Sequence, residues 1–200
     1  MRDIDIRQAL HETRLAIFKR DPDTVVIDEL GLCQGNARID IAVINGRLHG
    51  FEIKSEKDTL ERLPTQEKIY SKILDTVTLV THQHHIDKAS QIIPDWWGII
   101  SAGGSASDLT LEQFRPARVN QCIDPNAVVQ LLWRDEALDI LASFNLTKGL
   151  KSKPRSFLWK TLADQLSIVE LCEVVRRTIK KRKNWRSDPP QNICADSHLP

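Results

Sequence analysis

Three consecutive stretches rich in β-branched residues, spanning residues 24–32, 37–44 and 47–55, constrain this chain more than any other feature of its sequence. Short apolar segments of this kind, divided by Gly and Asn, are typical of β-strands. Asn45-Gly46, between the second and third segments, is a strong signal for a β-hairpin. The sequence therefore predicts three successive strands, of which the last two are antiparallel.

Helical and strand patterns alternate on either side of these strands. An amphipathic helix is predicted over residues 4–20, and a second helix over about 64–75, where Pro64 fits the first turn. A strand over 76–81, a short helix near 85–93 and a strand over 96–101 follow. This order of elements predicts an α/β fold with a mixed central sheet and helices on its faces.

The C-terminal part of the chain has helical patterns only. The segment 103–107 is rich in Gly and Ser and is interpreted as a flexible exit from the sheet. Helices are predicted over 126–143 and 156–183, the latter divided by a capping-box pattern that begins at Ser167. The predicted organisation is a core over residues 1–115, a basic helical extension over 116–186 and a mobile, Pro-rich tail over 187–200.

Composition excludes several classes of protein. Of the 200 residues, 41% are hydrophobic and 28% charged, which is ordinary for a globular chain. No stretch approaches the roughly 18 apolar residues of a membrane span, and no signal peptide is apparent, so we expect a cytoplasmic protein without membrane association. The four cysteines form no Cys-x-x-Cys pair, which favours reduced thiols. His82, His84 and His85 are interpreted as surface residues, with metal binding as the lesser alternative.

The net charge of +1 conceals an uneven distribution. Residues 148–186 contain 12 Lys and Arg against 3 Asp and Glu, whereas residues 1–147 carry a net charge of −6. A basic segment on a mildly acidic body is consistent with binding to a phosphate backbone, and a solubilising helix face is the alternative. The predicted nucleic-acid-binding residues of this segment are Lys180, Lys181, Arg182, Lys183 and Arg186.

Acidic residues interrupt the apolar alternation of two predicted strands. Asp40 lies in the second strand, and Glu52 and Lys54 lie in the third. Charged groups at mid-sheet depth must be paired or must bind a metal ion. A strict two-residue turn would set Asp40 opposite Phe51 and separate the carboxylates, so a three-residue turn or a bulge is predicted.

Asp40, an eleven-residue gap and the run Glu52-Ile53-Lys54 resemble the D…(D/E)-x-K signature of the PD-(D/E)XK nuclease superfamily. This run is the one acidic-x-Lys triplet in the sequence. The predicted order of elements matches the αβββαβ core of this restriction-endonuclease-like fold, and the resemblance covers about residues 1–101. Ile39 occupies the position of the proline in the superfamily name.

Gln66 and Tyr70, four residues apart on the next predicted helix, resemble the Q-x-x-x-Y element of RecB-like members of the superfamily. The block 28–66 is also similar to a family of small, mostly uncharacterised bacterial proteins assigned to it. A charged strand pair at the surface of the sheet is the alternative interpretation of the whole pattern.

The resemblance implies a Mg²⁺-dependent deoxyribonuclease, with Mn²⁺ as the alternative cofactor. Hard oxygen ligands suit Mg²⁺, and the implied ligands are Asp40, Glu52 and the carbonyl of Ile53. Lys54 would polarise the attacking water, and Gln66 would orient the lysine or contact the nucleic acid. The nucleic acid is expected to be DNA, and a homodimer or a partner protein is left open.

For Glu29, Arg62 and Tyr70 the sequence leaves a second interpretation open. Glu29 is predicted as an upstream acidic ligand of the metal, and Glu12 on the first helix competes with it. Arg62 and Tyr70 are candidate nucleic-acid-binding residues, with a solvated surface side chain and an ordinary core aromatic as the alternatives. The alternative function for the protein is a nucleic-acid-binding module that keeps the nuclease fold and does not cleave.

Overall fold

A computed structural model describes residues 1–105 and 108–182 and shows a mixed α/β architecture. The helices are α1 (Asp3–Glu12), α2 (Leu63–Tyr70), α3 (Ile86–Ser90), α4 (Pro125–Val128), α5 (Arg134–Ser143), α6 (Arg155–Gln165) and α7 (Ile168–Lys181). The strands are β1 (Val25–Leu32), β2 (Ala37–Ile44), β3 (Leu48–Lys54), β4 (Thr76–His82), β5 (Gly98–Ser105) and β6 (Asp108–Arg115). The predicted order from α1 to β5 is confirmed.

The six strands form one mixed sheet in the order β1-β2-β3-β4-β5-β6. β1, β2 and β3 pair antiparallel, β3 to β5 run parallel, and β6 returns antiparallel. α2 and α3 connect the parallel strands, as such pairs require a crossover.

The hairpin between β2 and β3 has the shifted register that the acidic residues require. Ile41 pairs with Phe51 and Ile44 with Leu48, which leaves a three-residue turn, 45–47. Gly46 in this turn has a φ of 101°, a conformation that favours glycine. The same register, continued, sets Asp40 opposite Glu52, so the predicted longer turn is confirmed.

The alternation of β2 breaks at Asp40. Ile39 belongs to the apolar core on the α2 side of the sheet, and Ile41 belongs to the core on the α1 side. Strict alternation along β2 predicts that Ile39, Ile41 and Val43 share one face, and for Ile39 this expectation is wrong. Opposite the break, Glu29 of β1 has a φ of 60°, which is uncommon for a residue with a side chain. The local irregularity of both strands frees the Asp40 side chain from strict alternation.

Two apolar cores lie on the two faces of the sheet. The smaller core packs Ile6 and Leu10 of α1 against β2, β3, β4 and β5. The larger core covers the opposite face with α2, α3 and the C-terminal helices, and its buried residues include Tyr70, Trp97 and Leu162. The C-terminal helices thus share a core with the sheet.

Asp75 joins the last helix to the start of β3. Its Oδ2 atom accepts hydrogen bonds from the Leu48 backbone N–H at 2.6 Å and from Arg176 of α7 at 3.1 Å. Asp75 is buried, so solvent does little to stabilise its negative charge. The positive charge of Arg176 offsets that charge instead.

The N-terminal helix is shorter than predicted. α1 ends at Glu12, and residues 13–20 form turns with one 3₁₀ turn, Phe18–Arg20, in place of a helix to residue 20. The Thr13 hydroxyl donates to the Ala9 carbonyl oxygen at 2.6 Å, next to the point where the helix stops.

Two expectations for the second half of the chain are wrong. The predicted flexible exit at 103–107 is in part strand, because β5 continues to Ser105 and pairs with β6, which the sequence analysis missed. The predicted helix over 126–143 is interrupted between α4 and α5. At the interruption the Trp133 N–H donates to Glu136 Oε2 at 2.7 Å, and this bond caps the start of α5. The division at Ser167 is confirmed, since its hydroxyl and backbone pair with Glu170.

The three cysteines within the described residues, Cys33, Cys122 and Cys172, are free thiols. Cys194 and the predicted tail at 187–200 lie outside the described residues. Within the described ranges, no helix has both the length and the apolar character needed to cross a bilayer.

Candidate active site

An open cavity of about 640 Å³ lies where β1, β2, β3 and the start of α2 meet. Seven predicted residues line it: Glu29, Asp40, Glu52, Ile53, Lys54, Arg62 and Gln66. The structure therefore brings the predicted metal ligands and catalytic residues together. Asp3 and Arg38, which the sequence analysis did not single out, line the same cavity.

Glu52 is 1% exposed and is held by three side chains. Its Oε1 atom accepts hydrogen bonds from Lys54 Nζ at 2.5 Å and Gln66 Nε2 at 2.6 Å, and the Tyr70 hydroxyl donates to Oε2 at 2.7 Å. Lys54, itself buried, offsets the charge of Glu52. Loss of any one of these donors would leave a buried carboxylate undersatisfied.

Tyr70 supports Glu52 and does not reach solvent. It lies one turn after Gln66, so both side chains face Glu52 from the same side of α2. Burial, together with the negative charge of Glu52, raises the pKa of the Tyr70 hydroxyl far above its usual value. The prediction that Tyr70 binds nucleic acid is wrong, because the side chain is fully buried.

Asp40 is fixed from two directions. Its Oδ2 atom accepts a hydrogen bond from the Ile53 backbone N–H at 2.7 Å, and Oδ1 accepts one from Arg7 Nη2 at 3.1 Å. Burial, and repulsion from Glu52, raise the pKa of Asp40 to about 7. Burial thus disfavours the charged form of Asp40, and a cation bound beside the carboxylate would favour that form.

Arg7 of α1 enters the site and was not predicted. Its Nη2 atom lies 2.7 Å from Glu29 Oε1, and its Nη1 atom donates to the Asp40 carbonyl oxygen at 2.7 Å. Asp3, one turn earlier on α1, accepts from Arg7 Nε at 3.4 Å. The i, i+4 spacing of Asp3 and Arg7 was the signal in the sequence, but it did not show that α1 packs beside the cavity.

Glu29 is the upstream acidic residue that the fold places at the cavity. Its side chain is 45% exposed and also lies 3.6 Å from Arg38. Glu12 does not line the cavity and pairs with Gln8 on α1.

The donor set fits a hard divalent cation of the Mg²⁺ type. Asp40 and Glu52 supply carboxylate oxygens and Ile53 a carbonyl, and Mg²⁺ is commonly bound through one or two carboxylates with several waters. Gln66 Oε1 is buried and has no hydrogen-bond partner among the described residues, so an acceptor for an ordered water is present. No group of three or more His, Cys, Asp or Glu side chains in the described ranges is arranged to hold a metal ion.

The predicted basic residues differ in how accessible they are. Arg62 at the start of α2 is exposed at the cavity, and Lys181 at the end of α7 is exposed. Lys180 is paired with Asp23 at 2.6 Å. Lys183 and Arg186 lie outside the described residues.

Arg182 is held within the protein, so its prediction as a phosphate-binding residue is wrong. Its side chain is 8% exposed and binds Glu136 at 2.6 Å. It also donates to the Leu131 carbonyl oxygen and stacks over Trp133 at 4.1 Å. Arg182 therefore joins α7 to α5.

A family model described as "Bacteriophage P4 protein cII" matches residues 5–190 of the chain. Protein cII of Enterobacteria phage P4 is 26% identical over 190 residues, which are 94% of this chain and 70% of that protein. A solved structure, a protein of unknown function from Silicibacter pomeroyi, covers 70% of this chain and 92% of its own, with 16% identity and a TM-score of 0.39. The family match includes both the sheet and the C-terminal helices.

Proposed function

The chain belongs to the bacteriophage P4 protein cII family, and we propose that it is a metal-dependent nuclease that hydrolyses phosphodiester bonds, with DNA as its substrate. The convergence of Asp40, Glu52 and Lys54 in one cavity carries this proposal. In the proposed assignment, α1, β1, β2, β3, α2 and β4 form a restriction-endonuclease-like core. The shifted hairpin register supports it, because the site requires that register.

The proposed cofactor is Mg²⁺, with Mn²⁺ as a substitute. Asp40, Glu52 and the carbonyl of Ile53 would hold it, with Glu29 beside them. When bound, it would neutralise the non-bridging oxygens of the phosphate and lower the pKa of the attacking water.

Lys54 and Gln66 have distinct parts in the proposed chemistry. The Lys54 ammonium lies beside Glu52 at the cavity and would donate to the water or to a phosphate oxygen, where negative charge develops. Gln66 donates to Glu52 and thereby fixes the carboxylate, so it is a positioning residue. Tyr70 fixes the other oxygen of Glu52.

Arg38 and Arg62 supply positive charge at the cavity wall. Arg38 is 57% exposed and Arg62 is exposed, so both guanidinium groups are accessible to phosphate groups of a bound nucleic acid. Contacts of this kind position a nucleic acid without reading its sequence. Lys181, exposed at the end of α7, is a further candidate for a phosphate contact.

One observation favours a second candidate function, a nucleic-acid-binding module that does not cleave. All four carboxylate oxygens of Asp40 and Glu52 accept hydrogen bonds from the protein. The site is therefore satisfied, though not neutralised, without a metal ion. In this case the basic residues would bind nucleic acid, and the acidic cluster would have a structural role.

A cleavage assay tests the proposal. Purified protein is incubated with supercoiled plasmid and with a single-stranded oligonucleotide in Mg²⁺, Mn²⁺ or EDTA. The parent and Glu12→Gln, a carboxylate outside the cavity, are expected to cut only with metal. Asp40→Asn and Lys54→Met are expected to lose at least about a hundredfold in rate. Salt-sensitive DNA binding without cutting by the folded parent would instead support the binding module.

A further inference from the structure

Arg7 fills the place of a cation among the acidic groups of the cavity. Its guanidinium contacts Asp40 through both the side chain and the backbone carbonyl, and contacts Glu29 through the side chain. The N–H of Nε faces Asp3 at 3.4 Å. Each of the three guanidinium nitrogens thus has an acidic or carbonyl oxygen within hydrogen-bond distance.

We propose that Arg7 is a built-in counter-cation that competes with the divalent metal ion for Asp40 and Glu29, so that α1 sets the metal affinity of the site. The inference rests on the proposed function for the presence of a metal site. Control of metal occupancy then lies with a residue of the N-terminal helix.

Packing holds the guanidinium in this position. Ile6 and Leu10, one on each side of Arg7 in the sequence, are fully buried in the smaller core and anchor α1 to the sheet. The Arg7 side chain is 14% exposed, so solvent screens its interactions with the carboxylates only partly. A planar guanidinium with several fixed donors suits such a cluster better than a lysine ammonium does.

The competition follows from geometry and charge. Arg7 Nη2 bridges Glu29 Oε1 and Asp40 Oδ1, the two oxygens that a cation between these residues would use. A metal ion bound there must displace Arg7 or accept its positive charge as a neighbour. Both alternatives weaken metal binding, and loss of the guanidinium removes both.

The test measures Mn²⁺ binding to the full chain without nucleic acid, from the paramagnetic resonance signal of the free ion. The variants are Arg7→Gln, Arg7→Lys, Asp40→Asn and the control Arg2→Gln. Arg2 lies next to the same helix, is 76% exposed and pairs with Asp5, so its substitution removes the same charge away from the cavity. Thermal unfolding in EDTA shows that each variant is folded.

Arg7→Gln is expected to bind Mn²⁺ at least about fivefold more tightly than the parent, Arg7→Lys to lie between them, and Arg2→Gln to match the parent. If Arg7 only held the carboxylates in place, Arg7→Gln would bind Mn²⁺ more weakly than the parent. Weaker binding, or binding equal to that of the parent, would overturn the inference. If Asp40→Asn loses binding while Arg7→Gln equals the parent, only the inference fails. If Mn²⁺ binds to none of the proteins, or to all of them alike, the metal site of the proposed function fails with it.

Discussion

The carboxylate of Asp40 accepts a hydrogen bond from the backbone N–H of Ile53 across the β2–β3 pair. Ile53 lies between Glu52 and Lys54, so one backbone contact fixes Asp40 relative to both. The geometry of the site therefore depends on the register of the hairpin, which the turn at 45–47 sets.

Gly46→Ala is expected to destabilise the protein by about 1 kcal/mol, because Gly46 has a φ of 101° that alanine adopts at a cost. The urea midpoint of unfolding measures this effect. Gly31→Ala is the matched control, since a Cβ there also meets nothing within 4 Å and its φ is unremarkable. Equal midpoints for the two variants would contradict a conformational role for Gly46.

The stability of the metal-free protein is expected to depend on Asp40 and pH. The folded protein raises the pKa of Asp40 from 3.8 to about 7, so between these values the folded state holds a proton that the unfolded state has lost. The free energy of unfolding should therefore fall as pH rises from about 4 to about 7 and then level off.

Thermal unfolding in EDTA at pH 5 and pH 8 tests this dependence, with Asp40→Asn beside the parent. Asp40→Asn lacks the titrating group and is expected to lose less stability than the parent between the two pH values. The same fall in both proteins would show that another group causes it.

Tyr70→Phe is expected to lower the free energy of unfolding by about 1–3 kcal/mol, because it removes a donor to the buried Glu52 and leaves the aromatic ring in place. Urea unfolding gives the value. Thr161→Val removes a hydroxyl that bonds to a carbonyl oxygen on the exposed side of α6 and should change stability by less than about 0.5 kcal/mol. Comparable values for the two substitutions would argue against a supporting role for the Tyr70 hydroxyl.

Arg176→Met is expected to cost about 3 kcal/mol, since it leaves the buried carboxylate of Asp75 without its ionic partner. Arg177→Met, at the next position of α7, breaks an exposed pair with Glu173 and should cost less than about 1 kcal/mol. Chemical denaturation of Arg176→Met, of Asp75→Asn and of the double variant, with Arg177→Met beside them, measures the coupling. Additive effects in the double variant would show that the pair does not act as one unit.

Arg62→Gln is expected to weaken DNA binding and to reduce the slope of log affinity against log salt by about 1, the effect of one lost phosphate contact. Filter binding over a series of salt concentrations measures this slope. Lys160→Gln removes a positive charge that is paired with Asp164 on α6 and serves as the control. An unchanged slope for Arg62→Gln would place the nucleic acid elsewhere.

The acidic part of the site could be predicted because its spacing is local. Asp40, Glu52 and Lys54 lie on two strands joined by a short turn, so the length of the turn and the register that it sets determine their relation. Arg7 could not be found in this way, because it reaches Asp40 from 33 residues earlier in the chain and only through the packing of α1. Arg38 also lines the cavity, two residues before Asp40 on β2, but its residue type alone does not mark it as part of the site.

β6 was missed for a different reason. Its residues are exposed or half-buried throughout, so they lack the apolar pattern of a core strand. Gly103 and Gly104 were interpreted as a sign of flexibility, whereas Gly104 has a φ of 84° and lies against the Asp108 backbone within the β5–β6 pair. Glycine there permits a close approach of two strands.

Every strand of the sheet pairs only with its neighbours in the chain, so the sheet can gain one strand at a time as the protein leaves the ribosome. The residues of the acidic cavity, from Asp3 to Gln66, are synthesised first. The four helices α4 to α7, which cover much of the larger apolar face, come last. The residues of the acidic cavity thus precede the helices that shield this face, and until α7 adds Leu171 and Val175 the nascent chain carries exposed apolar surface of the kind that favours aggregation.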